Sequence, residues 1–149
     1  MYYDVVMDRD KIKILFLDDM EERHKAFEET IGLYDDSPCY EIDHVYTAYD
    51  AVEKIRAARY DQVFLDHDLS EDDIMIEPNA VSKGPTGMDV VDHIMTMEHP
   101  PSWIVIHSCN EPAAQLMQRK LNEHPAGIRV TRQAFPWLIA FMTNAANAS

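Results

Sequence analysis

The chain has 149 residues, enough for one domain with a sizeable core. It is 46% hydrophobic and 27% charged, as an ordinary globular domain is, and its formal net charge of -14 excludes broad binding to duplex DNA or RNA unless a metal or a local basic patch intervenes. No apolar stretch approaches the ~20 residues that cross a bilayer, the start "MYYDVVMDRDKIK" has no basic segment followed by an apolar run, and the two cysteines, Cys39 and Cys109, form no CxxC pattern; a cytoplasmic protein with reduced thiols, and neither a zinc ribbon nor a redox motif, is expected.

"IKILFLDD" (Ile12 to Asp19) is an apolar, β-branched run ending in acids and predicts a strand. "MEERHKAFEETIG" has Phe27 and Ile31 at helical spacing and Gly32 as a stop signal, so it predicts a helix. "YEIDHVYTA" (Tyr40 to Ala48) alternates as a strand does, and "DAVEKIRAARY" (Asp50 to Tyr60) reads as a helix capped by Asp50. "DQVFLD" predicts the third strand. The polar stretch "LSEDDIMIEPNAVSKGPTG" (Leu69 to Gly87) is long for a loop in a compact domain. "TGMDVVDHIMTM" (Thr86 to Met97) predicts a helix, "SWIVIHS" (Ser102 to Ser108) a strand, and "EPAAQLMQRKLNEH" (Glu111 to His124) a helix with Pro112 in its first turn. "GIRVTR" (Gly127 to Arg132) is a short strand, and a closing helix is expected over 134–147.

This β-α alternation predicts one α/β domain over 1–149, with its core at about 11–135: a doubly wound parallel sheet between two helical layers. The runs "ILFL", "VFL" and "WIVI" suit strands buried on both faces. In such sheets ligands bind beyond the C-terminal ends of the strands. Asp18 and Asp19 end the first strand; Asp66, His67 and Asp68 end the third. His107 and Ser108 end the fourth, with Asn110 following, and Arg132 ends the fifth. One edge therefore collects the chemistry.

Several carboxylates in one small space repel one another, and protonation, a basic side chain or a cation must relieve them. Oxygen ligands suit Mg²⁺ or Mn²⁺, with Asp18, Asp19, Asp66 and Asp68 as the candidate set. Zn²⁺ ranks second, because no HxxxH or HxH spacing supports it. If the third strand runs on past Leu65, Asp66 and Asp68 share one face and His67 takes the other. Plainer readings stand beside these: Asp19 capping the next helix, His107 as a satisfied strand-end histidine, and Met88, Met95, Met97 and Met117 as core filling. His24, His44, His93, His99 and His124 read as surface residues.

The arrangement resembles the receiver domain of two-component response regulators. "LFLDD" matches the strand-one acid pair, "VFLDHDL" the phosphoacceptor strand with Asp66 as acceptor, and Ser108 the phosphate-contacting Ser or Thr. The resemblance implies a five-stranded sheet of receiver (CheY-like, flavodoxin-like) order 2-1-3-4-5. Two positions depart from it: Arg132 where receivers carry Lys, and His107 where they carry an apolar residue. Those departures, with "LDHDL" (Leu65 to Leu69), "TGMDVVDHI" and "IHSCNEPAAQLM" (Ile106 to Met117), resemble the cyclic-phosphate processing receiver-like family of bacteria and phages; Ala113 stands where that family usually has Gly. This implies action on cyclic phosphates, such as 2′,3′-cyclic RNA ends in RNA repair, and partners limited to a small phosphorylated ligand or an RNA terminus.

Three functions are expected on these grounds. The first is a metal-dependent phosphoesterase with Asp66, His67 and His107 catalytic and Ser108, Asn110 and Arg132 binding phosphate. The second is a stand-alone phospho-accepting switch on Asp66. The third is an interaction module that has lost its chemistry.

Overall fold

The computed structural model describes residues 11–33, 40–69 and 86–133. Its elements are β1 (Ile12–Leu17), α1 (Glu21–Leu33), β2 (Tyr40–Val45), α2 (Ala48–Ala57), β3 (Gln62–Leu65), α3 (Gly87–Met95), β4 (Trp103–Ile106), α4 (Glu111–Asn122) and β5 (Arg129–Arg132). The five strands pair in parallel in the order β2-β1-β3-β4-β5, the receiver order. The expected helix over 134–147 and nearly all of the loop over 69–87 lie outside the described residues.

The apolar runs explain the layering, because neighbours along a strand point to opposite faces. Leu15, Leu17, Val63, Leu65, Ile104 and Ile106 meet Ala51 and Ile55 of α2, Val90, Val91 and Ile94 of α3, and Met117 and Leu121 of α4. The alternate residues Ile14, Phe16, Phe64 and Val105 turn the other way, onto Phe27 and Ile31 of α1. Phe16 stacks on Phe27 with ring centroids 4.3 Å apart, so this face is aromatic where the first is aliphatic. Met117 is buried, and Met88, Met95 and Met97 pack around the first core, as filling residues do.

The helix starts come from local chemistry. Thr47, rather than Asp50, caps α2: its hydroxyl accepts from the Asp50 N–H, and the helix begins before the expected position. Thr86 and Asp89 form a reciprocal capping box on α3. Gly87 comes next because the chain there passes so close to β3 that a Cβ would sit 2.2 Å from the Asp66 carbonyl oxygen.

Strand register then fixes the site. Leu17 lies level with Val45 and Leu65, Leu65 with Ile106, and Ile106 with Arg132. All five strands therefore end on one line, and the residues just beyond them project from one edge.

Candidate functional site at the strand tips

Ladder bonds continue one residue past the strands. Asp18 N–H donates to Val45 O (3.2 Å), Asp66 N–H to Leu17 O (3.2 Å) and His107 N–H to Leu65 O (2.9 Å). The backbones of three tip residues are thereby pinned side by side. β3 ends at Leu65, so the alternation expected to put Asp66 and Asp68 on one face does not apply.

Asp18, Asp19 and Asp66 each place a carboxylate oxygen within 4.8 Å of the others. Asp18 is fully buried and Asp66 nearly so. Burial, and then the Asp18 charge, push the Asp66 carboxyl up to about 8. Burial also raises Asp18, against the Met20 N–H and Arg23 that favour its ionised form; burial and then Asp18 raise Asp19. Asp18 Oδ1 accepts from Met20 N–H at 2.8 Å and turns the chain into α1, a capping duty expected of Asp19.

Sequence reasoning missed Arg23. Its Nη1 lies 3.2 Å from Asp18 Oδ2 and 3.6 Å from Asp66 Oδ2, bridging the two strand tips from the first turn of α1. Burial alone would lower its pKa; Asp18 and then Asp66 outweigh that and raise it. A signal was there to be read, since a cation in a helix's first turn opposes the macrodipole unless an anion compensates it.

Asp68 stands apart from the trio. Its Oδ1 takes the His67 Nδ1–H (2.8 Å) and the Asn110 Nδ2–H (3.4 Å). Asn110 caps α4 by accepting from Ala113 N–H at 3.2 Å, and the buried Ser108 hydroxyl accepts from Asn110 N–H at 3.0 Å. His67, Asp68, Asn110 and Ser108 thus form one network bordering the acids.

His107 is fully buried. Its ring stacks on Phe16 (centroids 4.9 Å, planes 5° apart), Nε2 lies 3.1 Å from the Leu17 carbonyl, and Nδ1 is 3.5 Å from Asp18 Oδ2. Burial, then Arg23, lower it to about 3, so the ring is neutral at physiological pH. It stands behind Asp18 instead of opening onto solvent. Arg132, at the exposed end of β5, is ion-paired to Glu111. Of the remaining histidines, His99 is exposed as expected, His44 and His93 are half-buried, and His24 and His124 are buried, contrary to the surface reading. A bond offsets the burial of each: His24 Nε2–H to Asp18 O (2.8 Å) and His124 Nε2–H to Met97 O (2.8 Å).

A five-stranded parallel sheet of this order, with acids at the tips of β1 and β3, is the receiver architecture. Solved receivers share it. The receiver domain of a sensor histidine kinase from Pseudomonas aeruginosa, with magnesium coordinated in its active site cleft, is 18% identical with a TM-score of 0.61, over 93% of this chain and 96% of that one. A Thermotoga maritima response regulator in complex with Mg²⁺ and BeF is 16% identical at 0.60, over 91% and 98%. A Vibrio cholerae chemotaxis protein is 15% identical at 0.63, over 93% and 98%. No curated protein matches the chain. The profile of the cyclic-phosphate processing receiver domain matches residues 13–123, and the chain belongs to that family. No described helix is long and apolar enough to cross a membrane.

Proposed function

We propose that the protein is a divalent-cation-dependent domain that opens cyclic phosphodiesters, 2′,3′-cyclic ends or cyclic nucleotides among them. The observation that carries this reading is the convergence of Asp18, Asp19 and Asp66, with Asp66 held near 8 by burial and like charge. Hard carboxylate oxygens whose charge Arg23 only partly offsets fit Mg²⁺ or Mn²⁺, and two receivers of the same fold bind magnesium. When bound, the cation supplies charge neutralisation for the phosphate and acidifies a coordinated water. Its ligands would be Asp18, Asp19 and Asp66.

The chain's own groups do the rest. Ring opening adds water to phosphorus, breaks one ester P–O bond and delivers a proton to the departing alkoxide. His67 is the group for that proton: Asp68 holds its Nδ1–H, which fixes the tautomer and turns Nε2 into the exchanging nitrogen. Ser108 and Asn110 offer hydroxyl and amide to the phosphoryl oxygens. Arg23 adds a guanidinium already facing the acids, and Arg132 reaches phosphate once it leaves Glu111. His107, neutral and buried, backs the site by packing behind Asp18 and stacking on Phe16.

A second reading, transfer of a phosphoryl group onto Asp66 as a switch, is favoured by the receiver neighbours. One experiment separates the two. Cyclic 2′,3′- and 3′,5′-phosphates are incubated with Mg²⁺ or Mn²⁺ and followed by phosphorus NMR, beside a small phosphodonor followed by intact mass. Cation-dependent conversion of a cyclic phosphate to a monoester, lost in His67→Ala and Asp66→Asn, is the expected outcome. A stable one-phosphoryl adduct on Asp66 with no conversion would replace the hydrolase by the switch.

A further inference from the structure

Helices α2 and α3 leave a cavity of about 320 Å³ between them, the volume at which small-molecule sites begin. Among the described residues it is lined by Ala48, Tyr49, Val52, Glu53 and Arg56 of α2 and by Asp89 of α3. Both walls are anchored to the strand tips. α2 starts at Ala48, shortly after Val45, whose carbonyl takes the Asp18 N–H. α3 starts at Gly87, whose N–H donates to His67 O at 3.1 Å and whose backbone abuts the Asp66 carbonyl. β2 and β3 flank β1, so the tips that feed the two helices lie about 10 Å apart, two strand spacings. Ala48, Tyr49 and Asp89 belong to the first turns, and that end of the cavity adjoins the edge where the carboxylates converge.

We propose that this cavity is a base subsite of the same centre: a nucleobase lies on Tyr49 while its phosphate lies at the strand tips. The inference rests on the reading of those tips as a phosphate site, and it narrows the substrate from any cyclic phosphate to a nucleotide. One sugar separates base from phosphate in a nucleotide, so a base subsite must neighbour the phosphate site, as this cavity does. A lone exposed tyrosine is ordinary; this one has a setting. Tyr46, on the same loop, is engaged, its ring 4.0 Å from that of His24 and its hydroxyl held by Glu21 at 2.6 Å. Tyr49, 73% exposed, is the large hydrophobic most open to water among the described residues, and Ala48 and Val52 extend its apolar surface. Such a surface takes the flat face of a base. The base edge, which carries both donors and acceptors, meets both kinds of partner. Arg56 donates, and its 3.5 Å pair with Glu53 is exposed and readily exchanged. Asp89 gives one carboxylate oxygen to the Thr86 N–H at 2.7 Å and can accept with the other. Glu53 and Asp89 repel a second phosphate but not an uncharged base, so the cavity suits the base end of the ligand.

The test is calorimetric titration of the full chain in Mg²⁺ with adenosine and guanosine 3′-monophosphates and with glycerol 2-phosphate, which has no base, while amide NMR maps the residues that respond. The nucleotides should bind about tenfold or more tightly than glycerol phosphate and should shift amides of α2 and of the first turn of α3. Tyr49→Ala should weaken nucleotide binding by about fivefold or more, the low end for one lost base–aromatic stack, and so remove most of that advantage. Tyr49→Phe, which keeps the ring, should retain it. Equal binding of nucleotide and glycerol phosphate, binding of neither, an advantage that survives Tyr49→Ala, or nucleotide-induced shifts that bypass α2 would overturn the proposal. So would concentration-dependent shifts of the same amides without ligand, which would assign the cavity to a second copy of the chain. None of these readouts needs turnover. A chain that binds nucleotides through Tyr49 but leaves cyclic phosphates intact keeps the base subsite and loses the hydrolase. One that opens cyclic phosphates with and without a base equally well keeps the hydrolase and loses the subsite.

Discussion

The edge of the sheet divides just past the tip of β4. At the tips of β1, β3 and β4, Asp18, Asp66, His107 and Ser108 are buried, and Arg23 reaches in from α1. From the start of α4 to the end of β5, Asn110, Glu111 and Arg132 are partly or fully exposed, and their bonds are those of a helix cap and a surface ion pair. The two sides carry similar residue types. Burial makes the difference: carboxylates withdrawn from water hold a charge problem that a ligand can solve, whereas exposed ones are already answered by solvent. Binding chemistry should therefore concentrate on the first side, with the second shaping how a ligand lies.

The most damaging way to break that contrast is at Gly87. A methyl group there meets the Asp66 backbone at 2.2 Å, and backbone cannot yield as a flexible side chain can. Gly87→Ala should cost about 1–3 kcal/mol through overpacking and should displace Asp66. Thermal unfolding reads the first effect and Mg²⁺ titration the second. A variant with wild-type melting and Mg²⁺ affinity would mean that α3 does not clamp this tip.

Arg23 sharpens the contrast. Removing it leaves the buried Asp18 and Asp66 without their bridging guanidinium. Arg23→Ala should destabilise the metal-free protein by about 1–3 kcal/mol, the cost of stranding buried acceptors. The pH dependence has a fixed sign. Asp66 moves from an ordinary 3.8 to about 8 on folding, so the folded state binds the extra proton between those values. Stability of the metal-free protein should fall as pH rises from about 4 to about 8 and level off above it. Arg23→Ala should steepen that fall, and Mg²⁺ should flatten it in both proteins. Denaturant unfolding across the range, with and without Mg²⁺, checks this; a metal-free stability that rises with pH would show Asp66 ionised at no cost.

Much of the fold was legible because buried parallel strands are written as unbroken apolar runs: "ILFL", "VFL" and "WIVI" coincide with β1, β3 and β4. Asp18, Asp19 and Asp66 could be placed for the same reason, since a charged residue directly after such a run has one place to go. Arg23 and His24 lie inside a helical pattern, where period alone does not say which side chain leans over the strand tips. His107 was legible as a tip residue but not as an inward one, because its direction depends on Phe16, two strands away, offering a face to stack on. Thr47 was passed over for Asp50 because both are good caps; the choice fell to the residue whose hydroxyl reached the Asp50 N–H.

The smallest effect separates the two arginines. Arg132 stands where receivers carry their lysine, yet its guanidinium lies on Glu111 at the exposed end of β5. An exposed pair of this kind contributes about 0–1 kcal/mol, so Arg132→Ala should leave the melting temperature nearly unchanged. Its consequence should appear only when phosphate is present. If Arg132 swings from Glu111 to a phosphoryl oxygen, the variant should bind inorganic phosphate or a nucleoside monophosphate more weakly with Mg²⁺ affinity intact. Arg23→Ala should disturb both, because its guanidinium touches the carboxylates themselves. Equal phosphate binding by Arg132→Ala and wild type would leave Arg23 as the cation that meets the ligand, and would move the receiver lysine's task from the end of β5 to the first turn of α1.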